Sequence, residues 1–153
     1  MEHIAEGIGA VVAEWDARLR NLPADVINGP RNRQNRNIRQ IVGHLVDSAS
    51  NNHQRIVRLQ YNAVLEFPDY RQDNDRWIAL QDYETSDWQE LTALWKYYNL
   101  HLMHVIRAVR TDALDNRWAD FEGNEVTLRE MIAGYLDHLN LHLGEIEKLI
   151  NTK

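Results

Sequence analysis

His138 and His142, in the run YLDHLNLH, are the residues of this chain whose types and spacing most directly suggest chemistry. Imidazoles at positions i and i+4 share a face of a helix and can offer two nitrogens to one divalent ion. Any amphipathic helix with two histidines can show the same spacing. A metal half-site and two ordinary edge residues therefore both stand until a third donor is found. The chain has no cysteine, so that donor must be imidazole, carboxylate or carbonyl.

The pair needs a helix to hold it. Thr127 and Glu130 have the reciprocal spacing of a capping box and open a helical segment that runs to about Asn151. With His138 at zero and about 100° of rotation per residue, Met131, Tyr135, Leu139, Leu143, Ile146 and Ile150 cover an arc of roughly 20° to 140°, with His142 near 40°. Both histidines face the interior at the edge of the apolar stripe. A second such stripe lies in HLVDSASNNHQR, where Ser48, Asn51 and Arg55 fall within about 40° of His44 and Asp47 about 60° to one side. A polar stripe beside an apolar one is ordinarily the border between core and water. Two helices that each bring imidazole to that border, at depths that can match, could instead converge on one ion.

The other histidines are poorer donors. His53 lies about 180° around its helix from His44, and His3 sits near the first residue, where a helix frays. His101 and His104, three apart, read as structural or surface residues, with His101 on the apolar edge and a candidate to line the same cavity.

Four helical segments account for the periodicity. The first covers residues 2 to 21, with Ile4, Ile8, Val11, Trp15, Leu19 and Leu22 inward, and stops before Pro23 and the Gly29-Pro30 pair. The second covers 37 to 60, with Asn37 as N-cap and Ile38, Ile41, Val42, Leu45, Ala49, Ile56 and Leu59 as its seam. The third opens at SDWQ, where Ser86 and Gln89 have capping-box spacing, and continues through Leu91, Leu94, Trp95, Tyr98, Leu102, Val105, Ile106 and Val109. The segment from Thr127 is the fourth. No stretch alternates strictly enough for a strand, so the expected fold is an all-α four-helix bundle filling one domain, residues 1–153. The link of about 25 residues between the second and third helices is long for antiparallel neighbours and reads as a crossover or a flap over a site. Its aromatics Phe67, Tyr70, Trp77 and Tyr83 predict that it packs down. In the link over 111–126, Gly123-Asn124 is the expected turn.

Charge narrows the function classes. A formal net charge of −6 argues against a nucleic-acid binder. The local cluster PRNRQNRNIRQ, with Arg31, Arg33, Arg36 and Arg39, lacks interleaved aromatics and reads as a solvated loop and helix start. No apolar run approaches the roughly 18 residues of a membrane span, and no secretory leader is evident, which makes the cytoplasm the expected compartment.

Two stretches carry a family resemblance. NIRQIVGHLVDSASNNHQR resembles the second-helix signature of the DinB-like superfamily of metalloenzymes, in particular its YfiT-like branch, which includes bacterial bacillithiol S-transferases. VTLREMIAGYLDHLNLHLGEI is similar to that family's last helix. The resemblance covers nearly the whole chain. It implies that His44, His138 and His142 ligate one divalent metal, zinc or nickel first and iron or manganese next, and that Asp47, Asn51 and Arg55 line the cavity or orient ligands and substrate. It also implies a small-molecule substrate, such as a low-molecular-weight thiol, and a homodimer. Three departures bear on substrate: Arg36 where many members have tryptophan, Gly43 where the transferase branch often has a second histidine, and Glu145 where glutamine is frequent. Three neutral imidazoles leave the ion's charge uncompensated and positions open, which suits a catalytic site that acidifies a bound water or thiol. The expected activities are thiol S-transfer or hydrolysis. A helical bundle that binds metal or ligand without turnover, for example as a dimeric stress-response module, is the alternative.

Overall fold

The structure, a computed structural model, describes residues 1–64, 72–120 and 122–152. Four long helices form it: α1 (Glu2–Arg20), α3 (Ile38–Arg58), α5 (Trp88–Arg107) and α6 (Leu128–Ile150). Two short ones, α2 (Ala24–Asn28) and α4 (Asn74–Leu80), lie in the links, and the last link holds a 3-10 turn and a hairpin of β1 (Arg117–Ala119) and β2 (Glu125–Thr127). The all-α bundle read from the sequence is the fold, with these additions. The hairpin escaped the periodicity argument because its strands have three residues each, too few for alternation to register. None of the described helices is long and apolar enough to cross a membrane.

The packed neighbours are α1 with α5, α5 with α3, α3 with α6 and α6 with α1. Consecutive long helices α1 and α3, and likewise α5 and α6, therefore stand across diagonals of the bundle. The link between α3 and α5 joins adjacent but parallel helices, with Arg39 beside Ser86 and Trp88 at their starts and His53 beside His101 further along, so it carries the chain back along the bundle as a crossover. Its length also supplies a wall: Gln72 and Asn74 reach the cavity described below. Of its aromatics, Tyr83 is buried and Trp77 half-buried, while Phe67 and Tyr70 lie outside the described residues.

The helix starts follow local chemistry. Asn37 and Gln40 form a full capping box at α3, as do Thr127 and Glu130 at α6. At α5 the cap is Asp87, whose side chain accepts from the Glu90 amide at 2.9 Å, one residue later than the sequence suggested. Ser86 is already engaged, donating to the Tyr83 carbonyl at 2.8 Å. Between Pro23 and Gly29 the chain makes α2, and Gly123 takes φ +86 in the hairpin turn, as its position predicted. Trp95, Leu102, Ile106, Ile8, Leu45 and Ile132 are fully enclosed at the centre. Leu94, read as part of the seam, is 51% exposed.

The arginine cluster is not a solvated loop throughout. Arg36 is buried and donates to Asp75 Oδ1 through Nε at 3.0 Å and a terminal nitrogen at 2.7 Å. Arg31 pairs with Glu84 at 2.9 Å, and Arg39 donates to the Ser86 carbonyl and lies over Trp88. These three tie the entry to α3 onto the α3–α5 link.

Gly43 has a local reason. A Cβ built there would lie 2.3 Å from Tyr83 Cδ2, so the phenol ring occupies the place of a side chain. Tyr83 then donates its hydroxyl to Asp47 Oδ1 at 2.7 Å and pins the link to α3. Gly43→Ala is expected to push the ring away and destabilise the fold by about 1–3 kcal/mol, a loss of several degrees in Tm by thermal melting.

Candidate metal centre

The polar stripe of α3 meets that of α6 because the two helices pack in antiparallel fashion. Ser48 Oγ lies 3.3 Å from His138 Nδ1, and four residues toward the start of α3 the His44 ring centre is 4.8 Å from that of His142. A step of four residues is about 6 Å along either helix, so the depths match. His44, His138 and His142 each offer a donor atom within 4.8 Å of the others. His44 and His142 are buried and His138 is half-buried.

The donor chemistry fits a cation. His142 Nδ1 lies 3.0 Å from Glu145 Oε2, and that oxygen also accepts from Asn32 Nδ2 at 3.1 Å. With Nδ1 donating, His142 presents a bare Nε2. His138 Nδ1 faces the Ser48 hydroxyl, and its Nε2 lies 3.1 Å from His142 Nε2. With His142 Nε2 bare, that approach is bridged by a proton on His138 Nε2 or, once both rings are bare, by a cation. The separation is close to the roughly 3.4 Å between two nitrogens on one tetrahedral zinc ion. His44 Nδ1 is buried with no hydrogen-bond partner among the described residues.

Burial favours the neutral form of His44 and His138, as ligation requires. Burial, with charge on His142 and His138 and the Arg36 guanidinium adding to it, pushes the His44 pKa down to about 3, against the pull of Asp75. Burial and His142 push His138 down to about 4, with Glu145 opposing.

A cavity of about 340 Å³ opens on His44 and His138. Ser48, Asn51, Asn52 and Arg55 from α3 line it, with Gln72 and Asn74 from the link and Met131, Gly134 and Tyr135 from α6. Asn51 donates to Gln72 Oε1 and Gln72 to Asn74 Oδ1, which fastens the link wall to α3. The Arg55 guanidinium stacks 4.2 Å over Trp118 of β1. Buried Tyr135 donates to Asn99 Oδ1 at 2.6 Å.

The model of the DinB superfamily matches residues 8–146. The chain belongs to the DinB superfamily. Among solved structures, it resembles YfiT from Bacillus subtilis, a probable metal-dependent hydrolase with an unusual four-helix bundle topology. The TM-score is 0.83 at 20% identity, over 96% of this chain and 83% of that one. It also resembles a histidine-to-alanine mutant of a mycothiol-dependent maleylpyruvate isomerase, with a TM-score of 0.69 at 15% identity, over 97% of this chain and 65% of that one. At these identities the likeness is one of fold. No curated protein matches.

Within this DinB-superfamily bundle, the residues singled out from sequence are distributed unevenly. His44, His138 and His142 come together, and Asn51 and Arg55 line the cavity. Asp47 is buried and does not line it. One of its oxygens accepts from Tyr83 and from Gln81 Nε2 at 2.8 Å, and burial raises its pKa against those two bonds. His101 is exposed and does not line the cavity either. Glu145 was legible as unusual, and its i+3 spacing from His142 could have marked it as a partner. Asn32, 113 residues away in sequence, carried no such signal. Carboxylates that orient ligating histidines are worth about 10- to 100-fold in metal affinity. Glu145→Ala is expected to lose that much and Glu145→Gln less, by competition against a chromogenic chelator.

Proposed function

We propose that this chain is a metal-dependent enzyme acting on a small molecule, with thiol S-transfer as the first reading and hydrolysis as the second. The observation that carries it is the convergence of three imidazoles from two helices at the floor of a polar cavity. A divalent ion held by His44, His138 and His142 would supply a Lewis acid with open positions, able to lower the pKa of a bound water or thiol. Zinc and nickel suit this donor set first, then iron and manganese.

The chain's own residues do the rest. Glu145 and Asn32 orient His142, and Ser48 orients His138. Arg55, with its guanidinium over the Trp118 ring, receives an anionic group of the substrate such as a carboxylate. Asn51 positions polar substrate groups through the amide chain to Gln72 and Asn74. Asp47 acts at one remove, by holding Tyr83 and the link in place. The resemblance to bacillithiol S-transferases supports thiol transfer, and the likeness to YfiT supports hydrolysis. The proposal includes a homodimer, supported by the resemblance and checked by sedimentation.

The test is turnover by metal-loaded protein on low-molecular-weight thiols paired with an aryl halide, and on nitrophenyl esters and anilides. Thiol consumption that needs metal and vanishes in His138→Ala is the expected result. Ester or anilide cleavage without thiol would select hydrolysis. Stoichiometric metal with no turnover on either set would leave a binding bundle and overturn the proposal.

A further inference from the structure

A second histidine pair sits where α3 meets α5, on the side of α3 away from the cavity. The ring centres of His53 and His101 are 4.9 Å apart at an interplanar angle of 87°. In the triad the corresponding separations are 4.5, 4.8 and 5.3 Å, with angles of 64 to 80°. Two imidazoles on one tetrahedral ion, at metal–nitrogen distances of about 2.1 Å, place their ring centres about 5 Å apart. The outer pair thus has the spacing of the inner one.

The surroundings suit ligation as well. His53 Nδ1 lies 3.5 Å from the Tyr98 hydroxyl, and the Tyr98 ring stands edge-on to it. When Nδ1 donates there, Nε2 is left bare, which is how ligating histidines are commonly oriented. His53 is half-buried and His101 exposed, so the pair opens to water and to incoming ions. Burial, reinforced by charge on His101, lowers the His53 pKa and favours the neutral ring.

We propose that His53 and His101 form a second, open site for a borderline divalent ion such as Zn(II) or Co(II), with two protein nitrogens and water in the remaining positions. With two donors in place of three, it is the weaker and more exchangeable site. It fills only after the triad, and protein loaded with excess metal carries ions at both places.

The test is zinc titration of the full chain against a competing chelator, with Co(II) as a paramagnetic probe of the imidazole NMR signals. Wild type is expected to take up a tight equivalent and a weaker one. His53→Asn and His101→Asn should each lose the weaker equivalent, whereas His104→Asn keeps both. Broadening of the His53 and His101 signals should track the weaker step. His101 is exposed, so its variant should melt like wild type, which separates lost binding from lost fold. Edge-to-face ring packing alone would leave no second equivalent, and a second equivalent that survives His101→Asn would place the ion elsewhere. Either result overturns the site without bearing on the triad, which His138→Ala tests separately.

Discussion

His138→Ala is expected to abolish the tight metal equivalent while leaving the metal-free protein folded and close to wild type in Tm. The imidazole contributes little to the metal-free fold. Its polar contacts are a 3.3 Å approach to Ser48 and a 3.1 Å hydrogen bond with His142 Nε2, worth about 1 kcal/mol between neutral groups. The truncated side chain would border an existing cavity of about 340 Å³ that water can fill, so no dry void is created. For the ion the loss is of a different order. Second-shell partners alone are worth about 10- to 100-fold, so removing a direct donor should exceed 100-fold. Metal at a thousand times its Kd stabilises a folded protein by about 4 kcal/mol, or about 10 °C for a chain of this size. Wild type should show that rise on adding zinc or nickel, and the variant none. One tightly bound ion per variant chain, by elemental analysis after dialysis, would remove His138 from the site. A variant already unfolded without metal would make the centre structural.

The triad was legible because its evidence is local. Each polar stripe lies within one helix, so a rotation of about 100° per residue finds it, and the N-cap Asn37 and the Thr127–Glu130 capping box mark where those helices begin. What joins the stripes is not local. Nothing near Asn32 announces that its amide will reach Glu145, and nothing near Gly43 announces that Tyr83, forty residues on, will lie where its side chain would be. The ring order of the helices is similarly hidden. The long link reads as a crossover and is one, returning the chain to a parallel neighbour, but that it also walls a cavity on the way could not be read from its length. Ser86 and Asp87 were equally good caps by type, and the hydrogen bond from Ser86 to the Tyr83 carbonyl decided between them. His101 illustrates the converse error: angular proximity to apolar neighbours placed it near the cavity, whereas it stands edge-on to His53 at the α3–α5 junction.

Metal-free protein is expected to lose stability steeply as pH falls below about 6.5, and His138→Ala to lose it about half as steeply. In the fold, His44 is held at about 3 and His138 at about 4, against 6.5 for a free imidazole. Between those limits the unfolded chain binds protons that the folded chain cannot. Stability therefore rises with pH through the window and falls as acid is added. Each such histidine contributes at most about 1.4 kcal/mol per pH unit, so the pair costs on the order of 5 kcal/mol by about pH 4.5. Native stabilities of about 5–15 kcal/mol make that enough to approach the unfolding midpoint in mild acid. Asp47 works the other way: its raised pKa means that the folded carboxyl takes a proton more readily, which offsets part of the loss at the acid end. Urea melts of metal-free protein at intervals from pH 7.5 to 4 measure the slope. A flat profile between pH 6.5 and 5 would mean that His44 and His138 are solvated, and the converged triad would fall with it. With metal bound the same protons compete with the ion, so loaded protein should resist acid until the metal leaves and then join the metal-free curve.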